Sequence, residues 1–231
     1  IHMAEYWGRP TEIQGRPDYY KDDFGIIWNR SGADKDIGIP VSNVIENLDD
    51  NEYKLPAVDE PYIRNMISSL VKTRGDRFVI TGIGFSLFER AWSLAGMREV
   101  LIAMAEDSEG LHKLLDDICE FNMKIIDIAL DYDIDAVYFG DDWGQQKNMI
   151  MGPDYWRKFI KPRLEKMYGK VKEKNLFVIQ HSCGDINAIF DDLVEIGLDC
   201  YQTFQPEIYD IQKVKSMYSN KLSFWGAIST Q

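Results

Sequence analysis

The chain of 231 residues is poor in the side chains that build disulfide scaffolds or metal cages, with three cysteines and three histidines. An odd, widely spaced set of thiols makes no disulfide framework. It suits a reducing cytoplasm, where a cysteine serves as core residue, nucleophile or metal ligand. Long apolar runs are missing as well. No stretch of about 18 apolar residues occurs, which excludes a membrane-spanning helix, and no basic segment followed by an apolar core marks a secretory signal. Positive charge is scarce: 26 Lys plus Arg stand against 38 Asp plus Glu, for a net charge of −12. Nucleic-acid phosphates and anionic membrane surfaces are therefore excluded as partners, while the acidic surface says little about a small-molecule substrate beyond keeping the protein soluble. No Gly-rich phosphate loop follows any strand-like run, which argues against the nucleotide-binding open sheet.

What is present falls into two regions. Residues 1–60 are rich in Asp, Asn, Gly, Pro and aromatics, with one strand-like run at Phe24–Trp28 and turn formers at Ser31-Gly32 and Ile39-Pro40. They read as an irregular extension with a short hairpin, packed on the main domain by its aromatic residues. His2-Met3 is either a cloning remnant or native sequence. From residue 61 a regular rhythm begins. Helical spacing covers 62–72, 86–95, 98–105 and 108–131, and the last of these is capped by Asp107 or Ser108. A helix from Pro153 to about 173 is expected to kink at Pro162, which lacks a backbone donor. Shorter helices are placed at 186–196, between Asp185 and Gly197, and at 210–218. Strands are placed at 78–83, 136–140, 176–179, 199–203 and 222–226.

Strands alternating with helices at this spacing imply βαβ units and a parallel sheet. Polar residues gather just after the strands: Asp141-Asp142, His181 with Cys183, Gln205, and Ser229–Gln231. That placement is the signature of a site at the C-terminal mouth of an α/β barrel. Five convincing strands fall short of the eight a closed barrel needs, so residues 61–231 read as an incomplete (β/α)8 TIM barrel belonging to a longer protein; strands hidden in the N-terminal region are the other explanation.

The sharpest chemical signal is His181-Ser182-Cys183. Residues i and i+2 of a strand share a face, so the imidazole and thiol converge at the strand tip, where both are zinc ligands. Cys200, low on the next strand, and Cys119, on a buried helical stripe, read as core, and His112 as solvated. Of the adjacent Asp141 and Asp142, one faces the mouth and the other braces a loop; the inward one serves as general acid or base, orients the histidine or completes a metal shell. Trp143 offers an apolar wall. Phe85, Asp141, Gln146, Tyr201 and Gln205 are the further candidates for the substrate cavity. Glu89-Arg90 reads as a structural ion pair.

Several stretches resemble the uroporphyrinogen decarboxylase superfamily. They are His181-Ser182-Cys183-Gly184-Asp185 with Ile196-Gly197-Leu198-Asp199, Gly140-Asp141-Asp142-Trp143-Gly144-Gln145-Gln146 with Lys161-Pro162-Arg163, Phe88-Glu89-Arg90-Ala91-Trp92, and Phe224-Trp225-Gly226-Ala227-Ile228-Ser229-Thr230-Gln231. The resemblance covers the chain from about residue 78 and is closest to the branch of zinc-dependent cobamide methyltransferases. It implies a (β/α)8 barrel and one of two chemistries. The first is methyl transfer between a methylated corrinoid, free or on a partner protein, and a thiol, with Zn²⁺ held by a His-x-Cys pair, here His181 and Cys183, and by a distant cysteine that would lie beyond Gln231. The second is metal-free decarboxylation of uroporphyrinogen acetate arms, in which Asp142 would act as the acid. The Arg-Gln-Ala-Gly-Arg loop of the decarboxylases has no counterpart here, which favours methyl transfer. A non-catalytic binding relative is the third reading. No reading of the sequence fixes the oligomeric state.

Overall fold

The computed structural model describes residues 1–32, 36–50 and 52–229. In chain order the elements are strands β1 (His2–Tyr6), β2 (Thr11–Glu12), β3 (Tyr19–Lys21), β4 (Ile27–Asn29) and β5 (Ile39–Pro40), then helix α1 (Glu60–Lys72) and strand β6 (Val79–Ile83). Helices α2 (Phe88–Ala95), α3 (Met97–Glu106) and α4 (Glu109–Ala129) lead to strand β7 (Ala136–Gly140). A single turn α5 (Pro153–Tyr155), a π-helical turn (Trp156–Ile160) and helix α6 (Lys161–Lys172) precede strand β8 (Phe177–His181). Helix α7 (Phe190–Glu195), strand β9 (Cys200–Phe204), helix α8 (Ile211–Tyr218) and strand β10 (Ser223–Gly226) complete the described fold.

Six of these strands form one parallel sheet in the order β1-β6-β7-β8-β9-β10, with the intervening helices packed on its outer face. Strand order follows chain order throughout, which is the winding of a barrel rather than of a doubly wound sheet. The helix signals behave as their chemistry requires. Asp59 accepts from the amide of Tyr62 (3.0 Å) at the start of α1, and Ser108 Oγ accepts from the amide of Leu111 (3.1 Å) at the start of α4. Asp107, the alternative cap, instead ends α3 in the left-handed conformation (φ 58°). The kink expected from Pro162 takes the form of the π-helical turn before it, where the amide of Lys161 reaches the carbonyl of Trp156.

The N-terminal region departs from the reading of an irregular extension with a short hairpin. Its first residues, His2 and Met3 included, form β1, which pairs in parallel register with β6 from His2↔Val79 to Tyr6↔Ile83. The four short strands β2-β3-β4-β5 form an antiparallel sheet. The run His-Met-Ala-Glu-Tyr hides its strand because it has neither β-branched residues nor a clean alternation.

Parallel register sorts the inward side chains of the main sheet into layers. At the bottom Met3, Ile80 and Ala136 are level. Glu5, Gly82, Tyr138, Ile179 and Cys200 form the middle layer, and Gly140, His181 and Gln202 the upper one. Cys200 packs with Ile80, Ala136, Tyr138 and Ile179 in this inner apolar cluster, and Cys119 is buried in the larger core between sheet and helices. No described helix is long and apolar enough to cross a membrane.

Candidate metal centre

His181 ends β8 with its ring pointing to the barrel axis, and the loop beyond it turns the Cys183 sulfur back toward the same point. Cys183 Sγ lies 3.6 Å from His181 Nε2. From the neighbouring strand tip, Asp142 Oδ1 lies 3.2 Å from the same nitrogen. The Cys183 amide donates to Asp142 Oδ1 at 2.7 Å, which ties the two loops together. On the far side of the ring, Nδ1 faces the Gln202 side-chain carbonyl, with Thr203 Oγ1 at 3.4 Å. An Nδ1–H donated to Gln202 leaves the Nε2 lone pair directed at Asp142 and Cys183, the arrangement that orients metal-binding histidines.

Electrostatics follow from this crowding. Burial opposes charge on His181, but Asp142 and Cys183 override it and raise the imidazole to about 11. Burial is likewise the largest influence on Asp142 and opposes its charge, but the hydrogen bond and charge of His181 together with the hydrogen bonds from Cys183 outweigh it, so the carboxyl falls below its ordinary range. A positive charge at Nε2 is therefore strongly favoured by its surroundings. One nitrogen, one sulfur and one carboxylate oxygen lie within 4.8 Å of one another. Tetrahedral zinc with bonds of about 2.0–2.3 Å sets its ligands roughly 3.3–3.8 Å apart, close to the 3.2 Å and 3.6 Å separations at Nε2. The residues present fit a zinc ion.

Two glycines make the convergence possible. The 144 and 184 loops cross backbone on backbone: a Cβ on Gly144 would come within 2.5 Å of the Gly184 carbonyl carbon, and one on Gly184 within 2.2 Å of the Gly144 carbonyl carbon. Gly184 also has φ 76°, a conformation costly for other residues. The Gly144 amide donates to the Cys183 carbonyl at 3.2 Å and the Trp143 amide to Ser182 Oγ at 2.9 Å, so each motif holds the other.

Other sequence candidates lie elsewhere. Asp141 is the bracing member of its pair and touches no cavity. It is wholly buried and accepts from the amides of Leu87 (3.4 Å), Phe88 (3.0 Å) and Glu89 (2.8 Å) and from Trp143 Nε1 (2.7 Å). It thus caps α2 from a different strand, since Leu87 at the N-cap has no capping side chain. Trp143 is not a cavity wall: its ring is fully buried edge-on to Trp156, with centroids 5.4 Å apart. Tyr201 faces the helices, where its hydroxyl donates to the Ser182 carbonyl at 2.7 Å. Gln205 is buried and accepts from the Gly184 amide at 2.8 Å. Both support the His181–Gly184 loop from behind. Gln146 lies on the exposed side of the 143–149 loop. Phe85 is buried between Trp7 (centroids 5.3 Å apart) and Trp28 (5.4 Å), away from the cluster of Asp142, His181 and Cys183.

Arg90 does not pair with Glu89. It is sunk against the Phe24 ring (3.7 Å) and paired with Asp22 at 3.4 Å. Glu89 turns the other way, into the field of Asp142, Asp141 and His181, and burial together with those carboxylates pushes its carboxyl well above the usual range. Glu5, in the middle layer, is raised to about 7 by burial, against a hydrogen bond from Trp7 and attraction to His181. The sequence offered Glu89 only as half of a structural ion pair and did not single out Glu5. Glu89 directly follows Phe88 in a helix start, and Glu5 sits on the strand that carried no strand signal.

Comparison with known proteins gives the family to which this parallel α/β barrel belongs. Residues 34–231 match the family model "Uroporphyrinogen decarboxylase (URO-D)", and the chain belongs to that family. A stretch of 81 residues, 35% of the chain and 23% of the relative, is 30% identical to the methylcobamide:CoM methyltransferase MtaA of Methanosarcina barkeri. The fold is that of a methyltransferase from Methanosarcina mazei, with a TM-score of 0.68 over 87% of this chain and 59% of that one, at 19% identity. The chain thus spans less than a quarter of the curated relative and about three-fifths of the solved one.

Proposed function

We propose that the chain carries the site of a zinc-dependent methyltransferase, in which the methyl group of a corrinoid passes to a thiol. The convergence of His181 Nε2, Cys183 Sγ and Asp142 Oδ1 supports this reading. Zinc held there by His181, Cys183 and Asp142 would keep an acceptor thiol deprotonated, and therefore nucleophilic, near neutral pH. In the transfer the thiolate sulfur forms a bond to the methyl carbon while the cobalt–carbon bond breaks, its electron pair remaining on cobalt. Gln202 orients the imidazole, and the Cys183 amide holds the Asp142 carboxylate toward the ligand position. The corrinoid is a substrate, free or carried by a partner protein.

Charge at the mouth favours this over decarboxylation. Glu5, Glu89 and Asp142 gather about His181, and the only ion pair that Asp142 makes among the described residues is with it. Acetate groups would find no counter-charge in these carboxyl groups, whereas a divalent cation would favour their ionised forms. Metal analysis and a methyl-transfer assay test the reading together. Stoichiometric zinc, lost in His181→Ala and Cys183→Ser, with thiol-dependent demethylation of methylcobalamin, is the expected result. Consumption of uroporphyrinogen by metal-free protein would replace it with the decarboxylase, and zinc without turnover of any methylcorrinoid would leave a binding relative.

A further inference from the structure

Where β1 meets the N-terminal antiparallel sheet lies a cavity of about 520 Å³ that neither motif predicts. Its walls are aromatic: Trp7, Trp28, Tyr62 and Phe85. Trp7 is 39% exposed and its indole lies against the backbone of Gly84, where a Cβ would come within 2.7 Å of the ring. Glycine at 84 is therefore what seats this ring.

Acidic groups outnumber basic ones around the cavity. Glu5, Asp22 and Asp36 line it with one cation, Arg30. Arg30 is engaged elsewhere, donating to the Ile37 carbonyl at 3.2 Å and stacking on Tyr20 at 4.6 Å. Asp22 is neutralised by Arg90 and satisfied by the Phe24 and Ile26 amides and Trp28 Nε1. Glu5 is different. Its Oε1 is buried with no hydrogen-bond partner among the described residues. It lies below the end of β7, where a Cβ on Gly140 would stand 3.4 Å from it, and within the field of His181.

A carboxylate beside an exposed indole, in a cavity walled by aromatic rings, is the combination that recognises an organic cation. We propose that this cavity binds a methylated ammonium group, with the exposed Trp7 ring against the cation and Glu5 supplying its counter-charge. Such a group spreads its charge over methyls that contact aromatic faces, and it is stabilised there where a neutral isostere is not. Arg30 is the one cation in the lining, and the three carboxyl groups around the same cavity disfavour a phosphate or carboxylate ligand. The binding stands by itself and does not depend on the methyl-transfer reading.

Calorimetric titration of the full chain at pH 8 with choline, and with its uncharged isostere 3,3-dimethylbutan-1-ol, tests the proposal. Choline is expected to bind saturably and about tenfold or more tighter than the alcohol. Glu5→Gln and Trp7→Ala should each weaken choline by about tenfold, with unchanged circular dichroism, and leave the alcohol less affected. Glu5→Gln preserves shape, so it remains informative if Trp7→Ala unfolds. Equal affinity for the two probes, choline binding untouched by both variants, or no choline binding at all would overturn the assignment. Zinc content measured on the same samples separates the two readings: choline failing on zinc-loaded protein removes only this site, and choline bound by protein that takes no zinc removes only the metal centre.

Discussion

Replacing Glu5 with Gln is expected to stabilise the protein in alkaline solution and to leave it nearly unchanged in acid. Burial of the carboxyl in the middle layer of the barrel, offset in part by Trp7 and His181, lifts it from an ordinary 4.5 to about 7. The folded state then holds the proton more tightly than the unfolded chain. Below pH 4 both states are protonated and stability is complete. Between 4.5 and 7 the unfolded chain releases its proton first, so stability falls as pH rises. Above 7 both states are ionised and the loss is constant, on the order of 3 kcal/mol at 1.36 kcal/mol per pH unit. Glutamine has the same shape and never ionises, so its advantage should grow from about 0.2 kcal/mol at pH 4, through about 1 at pH 5, to about 3 at pH 8. Urea unfolding followed by circular dichroism at those three values measures it. The slope with pH is the signature, because any difference in contacts between the two side chains is constant. A pH-independent difference, or a variant that loses ground toward pH 8, would refute the placement of Glu5 as a buried, unpaired carboxyl.

Three further outcomes follow from the same packing. Gly184→Ala should destabilise by about 3 kcal/mol or more, since it adds a Cβ 2.2 Å from the Gly144 backbone at φ 76°; a melting temperature within a degree of the parent would show that the loops do not cross as described. Asp141→Ala strips an acceptor from three amides and an indole, and should cost about 3 kcal/mol in urea unfolding while zinc stoichiometry is retained. Loss of zinc without loss of stability would reassign Asp141 to the metal. Gln202→Ala frees the His181 ring and should weaken zinc binding about 10- to 100-fold in chelator competition with the fold intact. An unchanged affinity would mean the ring needs no such support.

How far the sequence reached is clearest at particular elements. The helical stripe of 109–129, Pro153 at a helix start and the Ser108 cap are local patterns, and local patterns survive in the chain of letters. The family motifs could be read from residue identity alone. By contrast β1 was invisible: five residues without β-branching become a strand only because β6 offers an exposed edge in register. Trp143, Tyr201 and Gln205 looked like cavity residues because each sits near a strand end. Which side of the sheet they face depends on pleat and loop path, and all three serve the packing behind the site.

The one-dimensional chain by itself determined the alternation of strands and helices, the family, and the pairing of an imidazole with a thiol two residues away, because each depends on spacing within a few positions. Tertiary structure alone decided that Asp142 and not Asp141 meets His181, that two glycines must touch for the motifs to converge, and that Glu5 and Glu89 come within the field of His181. Those outcomes depend on distances between segments 40 to 180 residues apart, and such distances are set by sheet register and backbone contact, not by the identity of any neighbour in the chain.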